Sequence, residues 1–288
     1  MKFLVTGAAG LLGTEVAAVA SAREHAVSAL GRAELDVTNA AAVERAVSDL
    51  QPDVVVQCAA YTAVDRAEAE PRVAMAVNRD GTRYVAESAA RIGARIVYVS
   101  TDYVFDGGQR LRPYRPDDPT NPLSAYARTK LAGERAALGA GSGAIVARTS
   151  WLYGAAHPNF LTSMVDKASR GETLRVVDDQ VGGPSWTRSV ASTVVRLVEA
   201  GAEGVWHASD RGYCDRVELV REATRLAGLD ADIVAVSAAS FGGAAARPEY
   251  SPLDVSATEA FLGAALPHWK ESLERFMTEE MGPDESNE

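Results

Sequence analysis

Tyr126 and Lys130, in the stretch SAYARTK, stand four residues apart. On a helix that spacing puts both side chains on one face. A free phenol titrates near ~10, too high to exchange a proton readily at neutral pH. An ammonium group beside it favours the phenolate and lowers that value, so the pair makes a usable general acid. By itself Y-x-x-x-K is a short pattern, and two exposed helix residues satisfy it equally well. Thr101 lies 25 residues earlier, in the hydroxyl-rich segment STDYVFDG (100–107) that follows the apolar run RIVYV. Its hydroxyl could hold a carbonyl oxygen beside the tyrosine; the alternative is a cap on the following turn.

A third group is backbone. In VTGAAGLLGTEV (5–16), glycines fall at 7, 10 and 13, after an apolar strand and before an apolar-periodic helix. Gly7 allows a sharp turn, Gly10 close approach of a pyrophosphate, and Gly13 close helix–strand packing. The N-terminus of the following helix then presents free N–H groups to phosphate. The pattern is G-x-x-G-x-x-G, not the simplest dinucleotide fingerprint, and a purely structural turn is the competing reading.

These groups need a scaffold. Strands are predicted over Phe3–Thr6, His25–Leu30, 53–60, 94–101 and 144–150. Helices are predicted over 11–23, Asn39–Leu50 (capped by Thr38 or Asn39), 72–92 and 124–138. Strand–helix alternation means βαβ units and a parallel sheet. After residue 150 the loops lengthen. Helices are predicted near 159–170, 187–199, 215–227 and 267–280, with strands at 173–177 and 204–208. The expected fold is α/β, a Rossmann-like doubly wound parallel sheet with a smaller mixed α/β substrate lobe. Residues 1–150 are the expected dinucleotide-binding domain and 151–280 the substrate-binding lobe, some of whose segments may rejoin the sheet. Residues 281–288 form an acidic tail expected to be disordered.

The 288 residues carry a net charge of −10, with 47% hydrophobic and 24% charged residues. That is the composition of a globular chain, and it argues against a nucleic-acid partner, which needs a basic face. No apolar run reaches the ~20 residues that span a bilayer, and no signal-peptide layout opens the chain, so a cytoplasmic protein without a membrane partner is expected. Two cysteines, Cys58 and Cys214, make no disulfide framework, and the four histidines have no metal spacing, so no metal site is expected.

Taken in order, the glycine turn, Thr101 and Y-x-x-x-K resemble the extended short-chain dehydrogenase/reductase superfamily. Within it the chain resembles the dTDP-4-dehydrorhamnose reductase family from about residue 2 to about 280. The carrying segments are LDVTN (35–39), AAYTAVDRAEAEP (59–71), NRDGT (78–82), STDYVFDG, NPLSAYARTKLAGE (121–134), RTSWLYG (148–154), NFL (159–161), DDQVGGPS (178–185) and RPEYSPLD (247–254). TAVDRAEAEP and STDYVF are far more specific than the glycines.

The resemblance implies a nicotinamide cofactor that reduces the C4 ketone of a dTDP-linked 4-keto-deoxyhexose to give dTDP-L-rhamnose. It makes Tyr126 the proton donor and also a cofactor-binding residue, and Thr101 the group that orients the carbonyl. Lys130 binds the nicotinamide ribose and lowers the tyrosine pKa. Gly7, Gly10, Leu11, Leu12 and Gly13 form the pyrophosphate turn, and Asp36 and Val37 lie near the adenine. Ala59, Ala60 and Tyr61 run along the cofactor. Thr62, Val64, Thr101, Asp102 and Trp151 line the sugar pocket, with Trp151 a flat apolar wall or else a core residue. Arg247, in ARPEY, is the candidate cation for the diphosphate, with loop bracing as its alternative.

Two positions depart from the family pattern. Gly31 and Arg32 stand where NADH-accepting members often carry an acidic residue. An Arg there can accept a 2′-phosphate, so NADPH is expected, with NADH and a merely solvated Arg32 as alternatives. Tyr61 stands where histidine is usual. The resemblance also admits another dTDP-4-keto-deoxysugar reductase. It admits a non-catalytic NADP-binding subunit like the regulatory subunit of animal methionine adenosyltransferase, and a homodimer.

Overall fold

Six strands build the central sheet of the computed structural model, which describes residues 1–108, 111–141 and 143–281. They are β1 (Lys2–Thr6), β2 (Ala26–Leu30), β3 (Val54–Gln57), β4 (Arg95–Thr101), β5 (Ile145–Thr149) and β6 (Gly204–His207). Their spatial order is β6-β5-β4-β3-β1-β2. Every pairing is parallel. From β1 the chain steps outward to β2, then returns to add β3 on the other side. The order therefore reverses between β1 and β3, and open α/β sheets bind ligands outside the carboxyl ends of strands at such a point.

The uninterrupted apolar runs exist because both faces are covered. Phe3, Val5, Val54, Val56, Val97 and Ile145 point to one face, under Val16 of helix Leu11–Ala22 and Val190, Val194 and Leu197 of helix Thr187–Glu199. Leu4, Val55, Ile96, Tyr98 and Val146 point to the other, under helices Ala40–Leu50 and Thr82–Arg91. Alternate residues serve opposite cores, as the two-residue period of a strand requires. Asn39 caps the helix Ala40–Leu50 by accepting from the Ala42 N–H at 3.1 Å.

The helix predicted over 72–92 is divided. A π-helical turn, Ala76–Gly81, separates Pro71–Met75 from Thr82–Arg91. Asn78 in that turn is fully buried. Its side chain accepts from the Tyr61 N–H at 2.8 Å and donates to the Thr129 hydroxyl at 2.9 Å. The widened turn lets the asparagine reach both segments, a use typical of such bulges. The strand predicted over 53–60 ends at Gln57, because the chain turns there to pass Gly7.

Beyond residue 150, helices Phe160–Ser169, Arg216–Leu226 and Trp269–Glu279 are further main elements. They pack with Tyr153 and Trp186 around Leu161, Leu219, Trp269 and Phe276. Strand Leu174–Val177 pairs in parallel with Ile233–Val236. β6 and the helix Thr187–Glu199 belong instead to the main sheet and its covering layer. Of the expected acidic tail, 282–288 lie outside the described residues.

Candidate active site

Thr101 is the last residue of β4, beside the switch point. Its hydroxyl accepts from the Tyr103 N–H at 3.2 Å, capping the short 3₁₀ turn Asp102–Val104. The capping alternative thus holds, and the cap fixes where the hydroxyl points. The same hydroxyl donates to the Asp102 carboxyl at 3.1 Å and lies close enough to the Tyr126 phenol to lower its pKa. Tyr126 is in the first turn of helix Ala125–Gly139, which Ser124 caps by accepting from the Ala127 N–H at 3.2 Å. Burial raises the Tyr126 phenol well above its ordinary value; the Thr101 hydroxyl lowers it, and Asp102 and Tyr103 raise it further. Asp102 is itself buried and accepts from the Ser251 hydroxyl at 2.6 Å. Burial pushes its carboxyl up to about 6 against the pull of those hydroxyls.

Lys130 lies one helical turn beyond Tyr126 and is buried. Its ammonium donates to the Val99 carbonyl at 2.6 Å and sits 4.2 Å over the Tyr98 ring. Burial brings it down to about 7, while Glu134 and Cys58 draw it up. The expected lowering of the tyrosine pKa by Lys130 is not a feature of this arrangement. A buried ammonium needs an oxygen partner, and here it takes the strand carbonyl. Cys58 is a half-buried thiol, pushed up to about 12 by burial.

The glycine turn has the shape of a cradle. Gly7 adopts φ +62°, and a Cβ there would lie 2.5 Å from the Ala59 N. A Cβ on Gly13 would collide with the Gly7 carbonyl. Gly10, by contrast, is exposed, and the helix it opens at Leu11 has no side-chain cap and no acidic residue in its first turn. Leu11 and Leu12 therefore present uncapped N–H groups at the switch point, the donor set that a pyrophosphate requires. Ala59, Ala60 and Tyr61 follow β3 directly beside Gly7. Gly31 ends beside Ala9 of the turn, and a Cβ there would be 3.3 Å from the Ala9 Cβ. Arg32 is exposed and close enough to Asp36 to lower its carboxyl, although the Thr38 hydrogen bonds lower it more. Val37 is buried, packed against Gly81. These residues fit a dinucleotide.

The substrate side is less uniform. Thr62 is exposed and Val64 opens the short helix Val64–Ala69. The Tyr61 side chain turns away, donating to Glu70 and accepting from Arg66, each at 2.8 Å. Arg247 pairs with Asp65 of that short helix at 2.5 Å and donates to the Ala245 carbonyl at 3.1 Å, so it does brace its loop. It also stands near Tyr103, whose ring lies edge-on to Tyr126 with centroids 6.2 Å apart. Trp151 has φ +41°, a strained value for a non-glycine residue. Its ring is not an open wall: Gly182 packs tightly against it, and the Arg216 guanidinium lies 4.0 Å over it.

Sequence reasoning missed Arg216, Tyr103 and Ser251. Arg216 reads as one more polar residue on an amphipathic helix, and Ser251 reaches Asp102 across a sequence gap of 149. Tyr103 alone had a local signal, two residues from Thr101.

A parallel sheet of this order, with a glycine cradle at its switch point and a Thr–Tyr pair beside it, defines a Rossmann-fold reductase of the short-chain dehydrogenase/reductase class. Residues 1–281 match the family model described as the RmlD substrate binding domain, and the chain belongs to that family. It is 44% identical over 280 residues to a dTDP-4-dehydrorhamnose reductase of Streptomyces griseus, covering 94% of this chain and 91% of the relative. It is 41% identical over 280 residues to a probable dTDP-4,6-dihydroxy-2-methyloxan-3-one 4-ketoreductase of Streptomyces antibioticus, covering 95% and 93%. Its structure matches that of a Bacillus anthracis dTDP-4-dehydrorhamnose reductase in complex with NADP, with TM-score 0.93, 34% identity and coverage of 96% and 99%.

Proposed function

We propose that this protein reduces the C4 ketone of dTDP-4-dehydro-L-rhamnose with NADPH, giving dTDP-L-rhamnose. The carrying observation is the close approach of Thr101, at the end of β4, to the Tyr126 phenol, at the carboxyl edge of the sheet that holds the glycine cradle. Bound NADPH supplies the hydride. Thr101 orients the ketone oxygen and Tyr126 delivers its proton. Lys130 releases the Val99 carbonyl to take the ribose hydroxyls. Gly7, Gly10, Leu11, Leu12 and Gly13 hold the pyrophosphate. Arg32 takes the 2′-phosphate, Asp36 and Val37 flank the adenine, and Ala59, Ala60 and Tyr61 border the cofactor. Thr62, Val64, Asp102, Trp151 and Arg247 surround the nucleotide sugar.

In this reading 1–150 bind the dinucleotide and 151–280 close over the substrate, with 187–207 returning to the first layer. The protein works in the cytoplasm, as a homodimer. Among the described residues no helix is long and apolar enough to cross a membrane, and no group of three or more His, Cys, Asp or Glu side chains could hold a metal.

A second reading is reduction of another dTDP-4-keto-deoxysugar. The Streptomyces antibioticus relative, nearly as similar as the reductase from Streptomyces griseus, favours it. Incubation with NADPH and dTDP-6-deoxy-L-lyxo-4-hexulose, with the product identified by NMR, tests both. dTDP-L-rhamnose supports the first reading. A C4 epimer, or no turnover with this sugar, overturns it.

A further inference from the structure

Arg216 opens the helix Arg216–Leu226, and its side chain turns inward. The guanidinium lies 4.0 Å over the Trp151 ring and 4.9 Å over Phe160, and its Nε donates to the Gln180 side chain at 3.1 Å. The nearby Tyr103 hydroxyl favours its charged form, against the effect of burial. Among the described residues, no carboxylate forms an ion pair with it. The side chain is half-buried, and a charge drawn out of water is ordinarily paired.

The surroundings sharpen the point. Arg247 is near Tyr103 as well, so two guanidinium groups lower the pKa of one phenol, whose ring centroid is 6.2 Å from that of Tyr126. Asp65 answers Arg247 at 2.5 Å. Asp102, the other nearby acid, is engaged by Ser251 and Thr101. Asp102 gives Arg216 a counter-charge nearby, but among the described residues no carboxylate oxygen is bonded to the guanidinium.

We propose that Arg216 is a substrate-binding residue that holds a phosphate of the nucleotide sugar's diphosphate, across Tyr103 from Arg247. Trp151 and Phe160 form the aromatic slot that aims it. Planar guanidinium groups suit phosphate because they donate two parallel hydrogen bonds, and stacking fixes the plane before the ligand arrives. Trp151 acts on the substrate through Arg216, not as an open platform for the sugar ring. This inference rests on the reductase reading for the identity of the anion.

The test is calorimetric titration of the NADP-loaded protein with dTDP and, separately, with thymidine. Arg216→Met keeps the length and apolar bulk and removes the charge. We expect it to weaken dTDP roughly tenfold to hundredfold, as loss of a charged hydrogen bond does, and to leave thymidine and NADPH within threefold. Arg216→Lys should recover part of the loss. Equal losses for dTDP and thymidine would mean that Arg216 only shapes the pocket, and unchanged dTDP affinity would remove it from the site; either overturns the proposal. If Arg216→Met fails to fold, Arg216→Lys decides: a several-fold loss for dTDP alone supports the proposal, and no loss overturns it. Ketosugar turnover by the unaltered protein is scored separately. Turnover with an unaffected Arg216→Met variant sinks this inference and spares the reductase reading. A dTDP-specific loss without turnover does the reverse.

Discussion

Arg148 and Glu134 form a two-pronged ion pair inside the protein, Nε to Oε1 at 2.9 Å and Nη2 to Oε2 at 2.8 Å, with side chains only 5% and 3% exposed. Arg148 is on β5, and Glu134 is on the helix that carries Tyr126 and Lys130. Glu134 also accepts from the Ser100 hydroxyl of β4 at 2.5 Å. One carboxylate therefore ties the helix to two strands and sets its height above Thr101. Breaking a buried pair from one side leaves the other charge unanswered, at about 3–5 kcal/mol. Glu134→Leu should lower the unfolding free energy by about that much in urea titrations. Adding Arg148→Met should recover much of the loss, because the orphaned charge goes too. An additive double mutant would mean that the two side chains act independently.

Lys130 gives the protein a stability slope on the alkaline side. Its ammonium ordinarily titrates near 10.5, and burial brings it down to about 7 in the fold. Between those values the unfolded chain holds a proton that the folded chain has released. Stability rises with pH wherever the unfolded state binds more protons. The penalty for burying the charge is therefore largest below pH 7 and is relieved as pH climbs toward 10.5. Lys130→Met should be more stable than the parent at pH 6 to 7, and the gap should shrink by pH 9.5. Urea titrations across that range read it directly, and a constant gap would show that the folded lysine titrates normally.

Tyr126→Phe should reduce turnover by ~10²–10⁴, the usual contribution of a positioned acid. NADPH affinity should hold, because the phenol faces Thr101 and not the glycine cradle. Turnover within threefold of the parent would assign the proton to another group. Thr101→Val should also lower turnover, and should raise the phenol further, because the hydroxyl that lowers its pKa is gone. An alkaline shift in the pH profile of Thr101→Val, beyond a loss of rate, separates orientation from proton supply.

Arg32→Ala should weaken NADPH about tenfold to hundredfold, as the loss of roughly 1.5–3 kcal/mol of charged hydrogen bonding implies, and leave NADH nearly unchanged. The exposed guanidinium stands beside Asp36 at the end of β2, next to the glycine turn. A second group bears on the result. A Cβ on Gly31 would lie 2.9 Å from a Glu34 oxygen, so this carboxylate reaches the place where an acidic residue would hold the ribose. Equal losses for both cofactors would indicate damage to the turn itself.

The layers of the fold were legible because their causes are local. Buried parallel strands demand apolar runs on both faces, and VVV at 54–56 has all three side chains fully buried. The glycine turn was legible because backbone sterics leave few alternatives at Gly7 and Gly13. The relation between Tyr126 and Thr101 came from resemblance, since spacing along a chain says nothing about which strand end meets which helix. What stayed hidden depends on long-range partners. The π-turn at Ala76–Gly81 exists for the bonds of Asn78 to Tyr61 and Thr129. The ammonium of Lys130 takes the Val99 carbonyl, 31 residues away. The ring of Trp151 is covered by an arginine 65 positions later, at a distance only the folded chain defines.

Arg247 has two roles that can be separated. It braces its loop through Ala245, and it joins the second part of the chain to the helix Val64–Ala69 through Asp65. The ion pair is partly exposed, at 24% and 46%, so its contribution to stability is about 1 kcal/mol or less. If bracing were the whole role, Asp65→Asn and Arg247→Ala would raise the ketosugar KM alike, since each removes the pair. A guanidinium that also meets the diphosphate breaks that equality. Arg247→Ala should raise KM about tenfold or more, in keeping with a lost charged hydrogen bond, with kcat and NADPH affinity held. Asp65→Asn should raise KM much less, because Arg247 keeps its bond to the Ala245 carbonyl and its charge beside Tyr103. Steady-state kinetics of the two variants beside the parent decide between the roles, and matching KM values would return Arg247 to the loop.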